Sequence, residues 1–233
     1  MLAHNKAFFD AIAARHGTQP GHAAVFSRVK AAVAVAAATA AALIPLSDAS
    51  TRLLDYACGG GSVSRLLLPH VAQIVGVDIS AGMVAAFNEA ASNQGLARDE
   101  MFAVRGNLLD PASEPDLEGP EFRDFDVAIC CFAYHHIPQP GPLTLKIAER
   151  LKPGGRFALV DFETHEDVGK EWHHVVAHNG FSREQVEAWF AAAGLGKPQW
   201  VEVGTGTSVV GVDEEKEDVK IARGVFMAVG TKE

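Results

Sequence analysis

Leu53-Leu54-Asp55-Tyr56-Ala57-Cys58-Gly59-Gly60-Gly61, followed by the run Gln73-Ile74-Val75-Gly76-Val77-Asp78, is the stretch of this 233-residue chain that decides its fold. An apolar run that ends in a carboxylate and then in three glycines reads as a buried strand turning sharply under a ligand. Glycine has no Cβ to block a positive φ or the close approach of another group. The second run ends in Asp78, 23 positions after Asp55, where a carboxylate is placed to accept hydrogen bonds from both hydroxyls of a ribose. Two β-rich runs, two terminal acids and a glycine turn between them point to a nucleoside cofactor.

Outward from this stretch, short β-rich runs alternate with helical patterns. Strands are predicted near 52–57, 73–78, 100–105, 125–131 and 155–161, and helices near 62–68, 81–93 and 141–151. Such alternation implies an α/β fold with a parallel sheet covered on both faces. Phe125 to Cys131 is apolar after Asp126 and is expected mid-sheet. Ser80 is a predicted N-cap, and Ser182-Arg183-Glu184-Gln185 has capping-box spacing before a helix that stops at Gly194. Beyond it, Gln199–Val203 and Gly224–Val229 have no helical pattern between them, which favours an antiparallel hairpin. Upstream, Phe8 and Ile12, then Val25, Val29, Val33, Ala36, Ala40 and Leu43, recur at helical spacing, predicting two capping helices separated by a turn at Gly17 to Gly21. The segment Pro111 to Pro120 is expected to be a solvated loop. The whole chain, 1–233, reads as one domain, with 1–50 as a helical cap and 51–233 as the core.

With 48% apolar and 21% charged residues the chain can bury a sizeable core. Twenty basic against 29 acidic side chains give a formal charge of -9, which repels a phosphate backbone, and there is no basic stripe with interleaved aromatics. Nucleic acid is therefore not an expected partner. Cys58, Cys130 and Cys131 lie in apolar segments and read as buried thiols of a reducing compartment. The first twenty residues mix His4, Lys6, Asp10 and Arg15 with isolated apolar positions, unlike a secretory signal, so a cytoplasmic location is expected. Ala31 to Ile44 is apolar but only 14 residues long before Pro45, short of the ~20 that a membrane span needs, and is predicted as a buried helix.

Taken jointly, Leu54 to Gly61, Gly76-Val77-Asp78-Ile79-Ser80-Ala81-Gly82-Met83, Gly106-Asn107-Leu108, Phe125-Asp126-Val127 and Leu151-Lys152-Pro153-Gly154-Gly155 resemble the motifs of the Rossmann-like methyltransferases that use S-adenosylmethionine, in the small-molecule branch typified by ubiquinone-biosynthesis enzymes. The resemblance covers roughly residues 50 to 230. It implies a doubly wound, seven-stranded, mostly parallel sheet with an antiparallel C-terminal hairpin, and S-adenosylmethionine across the ends of the first three strands. It also implies that Asp55 and the backbone of Ala57, Gly59 and Gly61 face the methionine portion and Asp78 the ribose, that Met83 packs beside the adenine and Asn107 meets its edge, and that Ile79 and Leu108 are further cofactor contacts. Two positions depart from the pattern. Ala57 stands where glycine is usual, so the turn there should have a φ compatible with a side chain, and Asn107 stands where aspartate is common. Structural readings remain for the acids: Asp55 held by backbone donors, Asp78 as a helix-capping carboxylate. An NAD-type fold is the rival, but its third glycine would be Ser64, and the charge of Asp55 would oppose a pyrophosphate.

Methyl transfer requires alignment and, for most acceptors, proton removal. Phe132-Ala133-Tyr134-His135-His136-Ile137-Pro138 follows the fourth strand, at the sheet edge where open α/β folds bind ligands, so His135 and His136 are the catalytic candidates and Tyr134 a pocket residue. Trp172-His173-His174-Val175-Val176-Ala177-His178 sets His174 and His178 one helical turn apart, but valine stands at position 175 and no third ligand is evident, so no metal site is expected. Trp172, His174 and His178 are instead read as the substrate pocket's roof, with Phe8, Phe9 and Phe181 as an apolar wall. No Asn-Pro-Pro-aromatic motif follows the fourth strand. The expected function is methyl transfer to oxygen, nitrogen or sulfur of a small molecule. The alternatives are a non-catalytic S-adenosylmethionine-binding regulator and an NAD-binding oxidoreductase.

Overall fold

The computed structural model describes residues 2–15, 44, 46–110, 112, 117–167, 170, 173–210 and 220–233. Its strands are β1 (Arg52–Tyr56), β2 (Gln73–Asp78), β3 (Met101–Arg105), β4 (Phe125–Cys131), β5 (Leu151–Phe162), β6 (Gln199–Val210) and β7 (Lys220–Thr231). Its helices are α1 (Leu2–Arg15), α2 (Ser62–Leu67), α3 (Ala81–Asn93), α4 (Pro140–Ala148) and α5 (Arg183–Ala192). The sheet order is β3-β2-β1-β4-β5-β7-β6. β1 to β5 pair in parallel, and β7 runs antiparallel between β5 and β6. This is the seven-stranded, doubly wound sheet with an antiparallel hairpin that the sequence pattern implies.

Three predicted boundaries shift. β6 and β7 extend well beyond 199–203 and 224–229, because the ribbon goes on pairing with itself past the sheet, from Thr207 opposite Arg223 to Val210 opposite Lys220. The Gly204-Thr205-Gly206-Thr207-Ser208 stretch hides the strand alternation there. β5 begins at Leu151, which pairs with Phe125 before the register shifts and pairing resumes at Arg156. Third, the Pro111–Pro120 segment is anchored at its described end: Leu117 is buried, and Glu118 receives a hydrogen bond from Arg150 Nη1 at 3.0 Å. Arg150 is only 1% exposed, so the carboxylate of Glu118 is fixed to a buried cation.

The helices start where their caps dictate. Ser80 Oγ accepts the Met83 N–H at 3.1 Å, and Ser182 with Gln185 forms a reciprocal capping box. α3 buries Met83, Phe87 and Ala91 against one sheet face, and α5 buries Val186 and Phe190 against the other. Fully buried aromatics on the α5 side include Phe157 and Phe226. α1, the first predicted cap helix, packs on the N-terminal end of α3, where a Cβ at Gly82 would lie 2.8 Å from the Ala13 Cβ. That approach needs glycine. The second predicted cap helix, with Val25, Val33 and Leu43, lies outside the described residues. Among the described residues no helix is long and apolar enough to cross a membrane.

Candidate active site

The carboxyl ends of β1, β2 and β4 open into a cleft of about 900 Å³ including its mouth. Its cofactor side is built by the glycine turn. The N–H groups of Ala57 and Cys58 donate to the Val77 carbonyl at 2.7 and 3.2 Å, which clamps the turn to β2. Contrary to expectation, Ala57 has φ 57, a left-handed conformation that glycine would take without strain. Gly59, at φ 52, lines the cleft and donates its N–H to Asp78 Oδ2 at 2.9 Å. The other oxygen, Oδ1, accepts from the Ser80 N–H at 2.9 Å. Asp78 thus ties the glycine turn to the start of α3 while still lining the cleft, and burial raises its carboxyl above the ordinary range. Ile79, Met83 and Asn107 line the cleft beside it.

Three of the expected cofactor contacts point elsewhere. Asp55 is 1% exposed, does not line the cleft and accepts from Ser64 Oγ at 2.6 Å. Burial and the nearby Asp78 push its carboxyl up to about 7, and its bond to Ser64 ties β1 to α2. Leu108 turns into the core, and its neighbour Leu109 lines the cleft instead. Gly61, at φ 77, is the cap residue of α2 rather than a wall: a Cβ there would lie 2.8 Å from the Phe87 ring. Asn107 Oδ1 is engaged by the Tyr56 hydroxyl at 3.2 Å and by the Leu109 N–H at 3.0 Å. Its oxygen is therefore committed to the protein, which alters the expected mode of meeting an adenine edge.

On the acceptor side, His136 lines the cleft with Cys131, Phe132 and Ile137. Its Nδ1 lies 2.8 Å from the Val175 carbonyl. A carbonyl only accepts, so Nδ1 carries the proton and Nε2 presents a lone pair. Burial and the adjacent His135 ring, 4.0 Å away centroid to centroid, pull the imidazole down to about 3, so it is neutral at ordinary pH. His135 does not line the cleft. Its Nδ1 is 2.7 Å from Asp161 Oδ1, and its N–H donates to Asp161 Oδ2 at 3.2 Å. Asp161 is fully buried at the end of β5 and also accepts the Phe162 N–H at 2.8 Å. The two histidines of one pair thus serve different purposes, one facing the cleft and one bonded to a buried carboxylate.

The expected pocket roof is only partly realised. Tyr134 is fully buried, packs on Phe157 and Trp189 and shares a 3.2 Å hydrogen bond with Thr144; its ring belongs to the core. Phe181 is likewise core. Residues 173–178 form a turn and an irregular stretch, so His174 and His178 do not share a helix face. His174 is exposed, in edge contact with Phe8. His178 Nε2 is 3.0 Å from the Ile137 carbonyl, and the N–H groups of Ala177 and His178 both bond the His135 carbonyl. This stretch braces the backbone of the histidine pair. Trp172 lies outside the described residues. Among the described residues no group of three or more His, Cys, Asp or Glu could hold a metal ion.

α1 supplies the roof that sequence reading assigned to later residues. Phe9 stacks edge-on against His136 at 5.1 Å, and Asn5 donates to the His136 carbonyl at 2.8 Å. Asp10 accepts from Ser80 Oγ at 2.5 Å and from the Gly82 N–H at 3.1 Å, and its carboxyl is held down to about 2 by Lys6 and Ser80. The helix therefore bridges the α3 cap and the His136 loop. Asn5, Asp10 and Asp161 were not singled out from the sequence. A signal for Asp161 was present, since it stands at the end of an apolar strand as Asp55 and Asp78 do; Asn5 is one of several polar residues of α1 and carried no such signal.

Residues 26–199 match a family model described as a methyltransferase domain. The chain belongs to this methyltransferase family. It is 32% identical over 172 residues to an uncharacterised methyltransferase of Schizosaccharomyces pombe, covering 70% of this chain and 59% of that protein. It is 29% identical over 114 residues to a ubiquinone biosynthesis O-methyltransferase of Xanthomonas axonopodis pv. citri, covering 49% of this chain and 44% of that one. The chain thus spans about half the length of these curated relatives. Its fold is similar to that of YcgJ from Bacillus subtilis (TM-score 0.63, 18% identity, 84% of this chain and 97% of that one). It is also similar to magnesium protoporphyrin IX methyltransferase from Synechocystis with bound S-adenosylhomocysteine (TM-score 0.62, 16% identity, 98% and 96%). S-adenosylmethionine is the cofactor of this family's domain. The site fits it: the left-handed glycine turn leaves backbone room, and the Asp78 carboxylate lines the cleft with acceptor capacity beyond its backbone donors.

Proposed function

We propose that this chain transfers the methyl group of S-adenosylmethionine to an oxygen, nitrogen or sulfur atom of a small molecule, with His136 taking up the acceptor's proton. What supports the reading is that His136 lines the cleft while its Nδ1 is engaged by the Val175 carbonyl, which leaves the lone pair of the neutral ring on Nε2. Asp78 and the Ala57–Gly59 turn would hold the cofactor, which supplies an electrophilic methyl group on a sulfonium. Phe9 and Ile137 shape the acceptor space, and a close, oriented acceptor accounts for ~7–11 kcal/mol of barrier lowering.

His136 is neutral and so always in its basic form, but a ring held near 3 is a weak proton acceptor. Its contribution belongs at the low end of the 10² to 10⁴-fold range of general bases, about 10²-fold. His135 acts as a positioning residue: bonded to Asp161, it fixes the loop and keeps a polar ring against His136. The test is turnover on a panel of phenols, amines and thiols, read as S-adenosylhomocysteine release. His136→Ala should lower turnover about 10²-fold at unchanged cofactor affinity. Near-wild-type turnover in both His136→Ala and His135→Ala would remove proton transfer by this pair and leave alignment alone.

A further inference from the structure

The sheet order decides which end of the cleft a purine base enters. Asp78 closes β2, which lies between β3 on one side and β1 and then β4 on the other, and His136 follows β4. With the ribose at Asp78 and the sulfonium directed toward His136, the base points to β3, because the base and the sulfur chain leave a ribose from opposite ends. The cleft wall there includes Ile79, Met83, Gly106, Asn107 and Leu109. The polar side chain among them is Asn107.

That side chain is already engaged by Tyr56, the last residue of β1, which also lines the cleft. The Asn107 oxygen must be the atom facing the Leu109 N–H, 3.0 Å away, because that N–H can only donate, so the partners assign the amide's orientation. The Tyr56 hydroxyl donates to the same oxygen at 3.2 Å. An amide oxygen has two lone pairs, and both are used. The same hydroxyl accepts the Leu108 N–H at 3.3 Å, so one tyrosine satisfies an acceptor and a donor of the β3 loop, the pair of groups that the 6-amino group and N1 of an adenine would call for. Its ring is 7% exposed within the core, and burial raises the phenol above its ordinary range, so the hydroxyl keeps its proton and goes on donating. We propose that Tyr56 is a specificity-determining residue of the cofactor site: by engaging Asn107 and Leu108 it leaves the 6-amino group of the base unread, and the site holds the base by apolar contact with Ile79, Met83 and Leu109. The inference rests on the methyltransferase reading and deepens it, predicting a site that accepts cofactors altered at position 6 of the purine.

The test is calorimetric titration of the full chain with two ligands: S-adenosylhomocysteine and its analogue in which unsubstituted purine replaces adenine, so that only the 6-amino group is missing. A site that reads the amino group through a neutral hydrogen bond would prefer the adenine ligand by about tenfold, equivalent to about 1.4 kcal/mol. Wild type should instead bind the two within about threefold of each other. Asn107→Ala should change both dissociation constants by the same factor, to within about twofold. Tyr56→Phe keeps the ring and releases Asn107 and Leu108, and should raise the preference for the adenine ligand to about tenfold. A wild-type preference of about tenfold or more overturns the proposal, as does an Asn107→Ala variant that loses the adenine ligand selectively or a folded Tyr56→Phe variant that still treats the two alike. Should Tyr56→Phe fail to fold, the wild-type and Asn107→Ala titrations still decide. A wild-type chain that binds neither ligand overturns the methyltransferase reading itself, an outcome distinct from binding with a strong adenine preference.

Discussion

Asp78→Ala should abolish productive cofactor binding in a chain that still folds. In the structure each carboxylate oxygen accepts one backbone N–H, from Gly59 and from Ser80, both at 2.9 Å. A carboxylate offers about four acceptor sites, so it can take ribose hydroxyls beside its backbone donors. Hydrogen bonds to a charged group contribute about 1.5–3 kcal/mol each, so losing two costs about 3–6 kcal/mol, or roughly 10² to 10⁴-fold in dissociation constant. The apo protein loses less, because burial already penalises this carboxylate and its removal offsets part of the lost backbone bonding. The assay is calorimetric titration of S-adenosylhomocysteine, paired with thermal melts. At a hundred times its dissociation constant the ligand should stabilise wild type by about 2.7 kcal/mol, a midpoint rise of roughly 5–10 °C for a chain of this size. Asp78→Ala should show no such rise. An affinity within about threefold of wild type would refute the assignment of Asp78 to the ribose.

Other outcomes follow from the same geometry. Because His136 is held near 3 rather than near its usual 6.5, turnover should stay flat from pH 8 down to about 5; an acid limb centred at 6.5 would contradict the described environment. Ala57→Gly relieves a left-handed alanine and should raise stability by roughly 1 kcal/mol, seen as a thermal midpoint about 2–4 °C higher. The raised carboxyl of Asp55 adds stability that is complete below its ordinary 3.8 and is lost as pH rises to about 7. Asp55→Asn should therefore gain on wild type by about 2 kcal/mol in urea melts between pH 5 and pH 7, and a constant difference would count against a buried, protonated Asp55. Chelation should leave turnover unchanged, and a loss restored by zinc would point to a metal role for the scattered histidines.

The parallel strands were legible because each is a short apolar run closed by a turn residue, and the capped helices because Ser80 and Ser182 sit where side-chain acceptors are needed. The length of the terminal ribbon was not, since its glycines and hydroxyl residues lack the alternation that marks a half-buried strand. At the site, the glycine turn, Asp78 and His136 were readable from their place after strands. The separation of His135 from His136 was not, because neighbouring residues in a tight 3₁₀ turn point differently and only the fold brings Asp161 to one of them. Asp55 misled because a strand-terminal acid can serve the ligand or the turn beneath it, and the decision lies with Ser64, nine residues on. The role of α1 depends on contacts spanning most of the domain, Asn5 to His136 and Asp10 to Ser80, which no local pattern encodes.

The central claim is catalysis of methyl transfer, and its most direct test is mass-spectrometric detection of both products when the full chain is incubated with S-adenosylmethionine and a mixed panel of phenols, amines and thiols. The expected result is S-adenosylhomocysteine and a singly methylated acceptor in equal amounts over many turnovers, lost in Asp78→Ala. Saturable S-adenosylmethionine binding with no methylated product from any member of the panel would contradict it, and would favour a chain that binds the cofactor without using it.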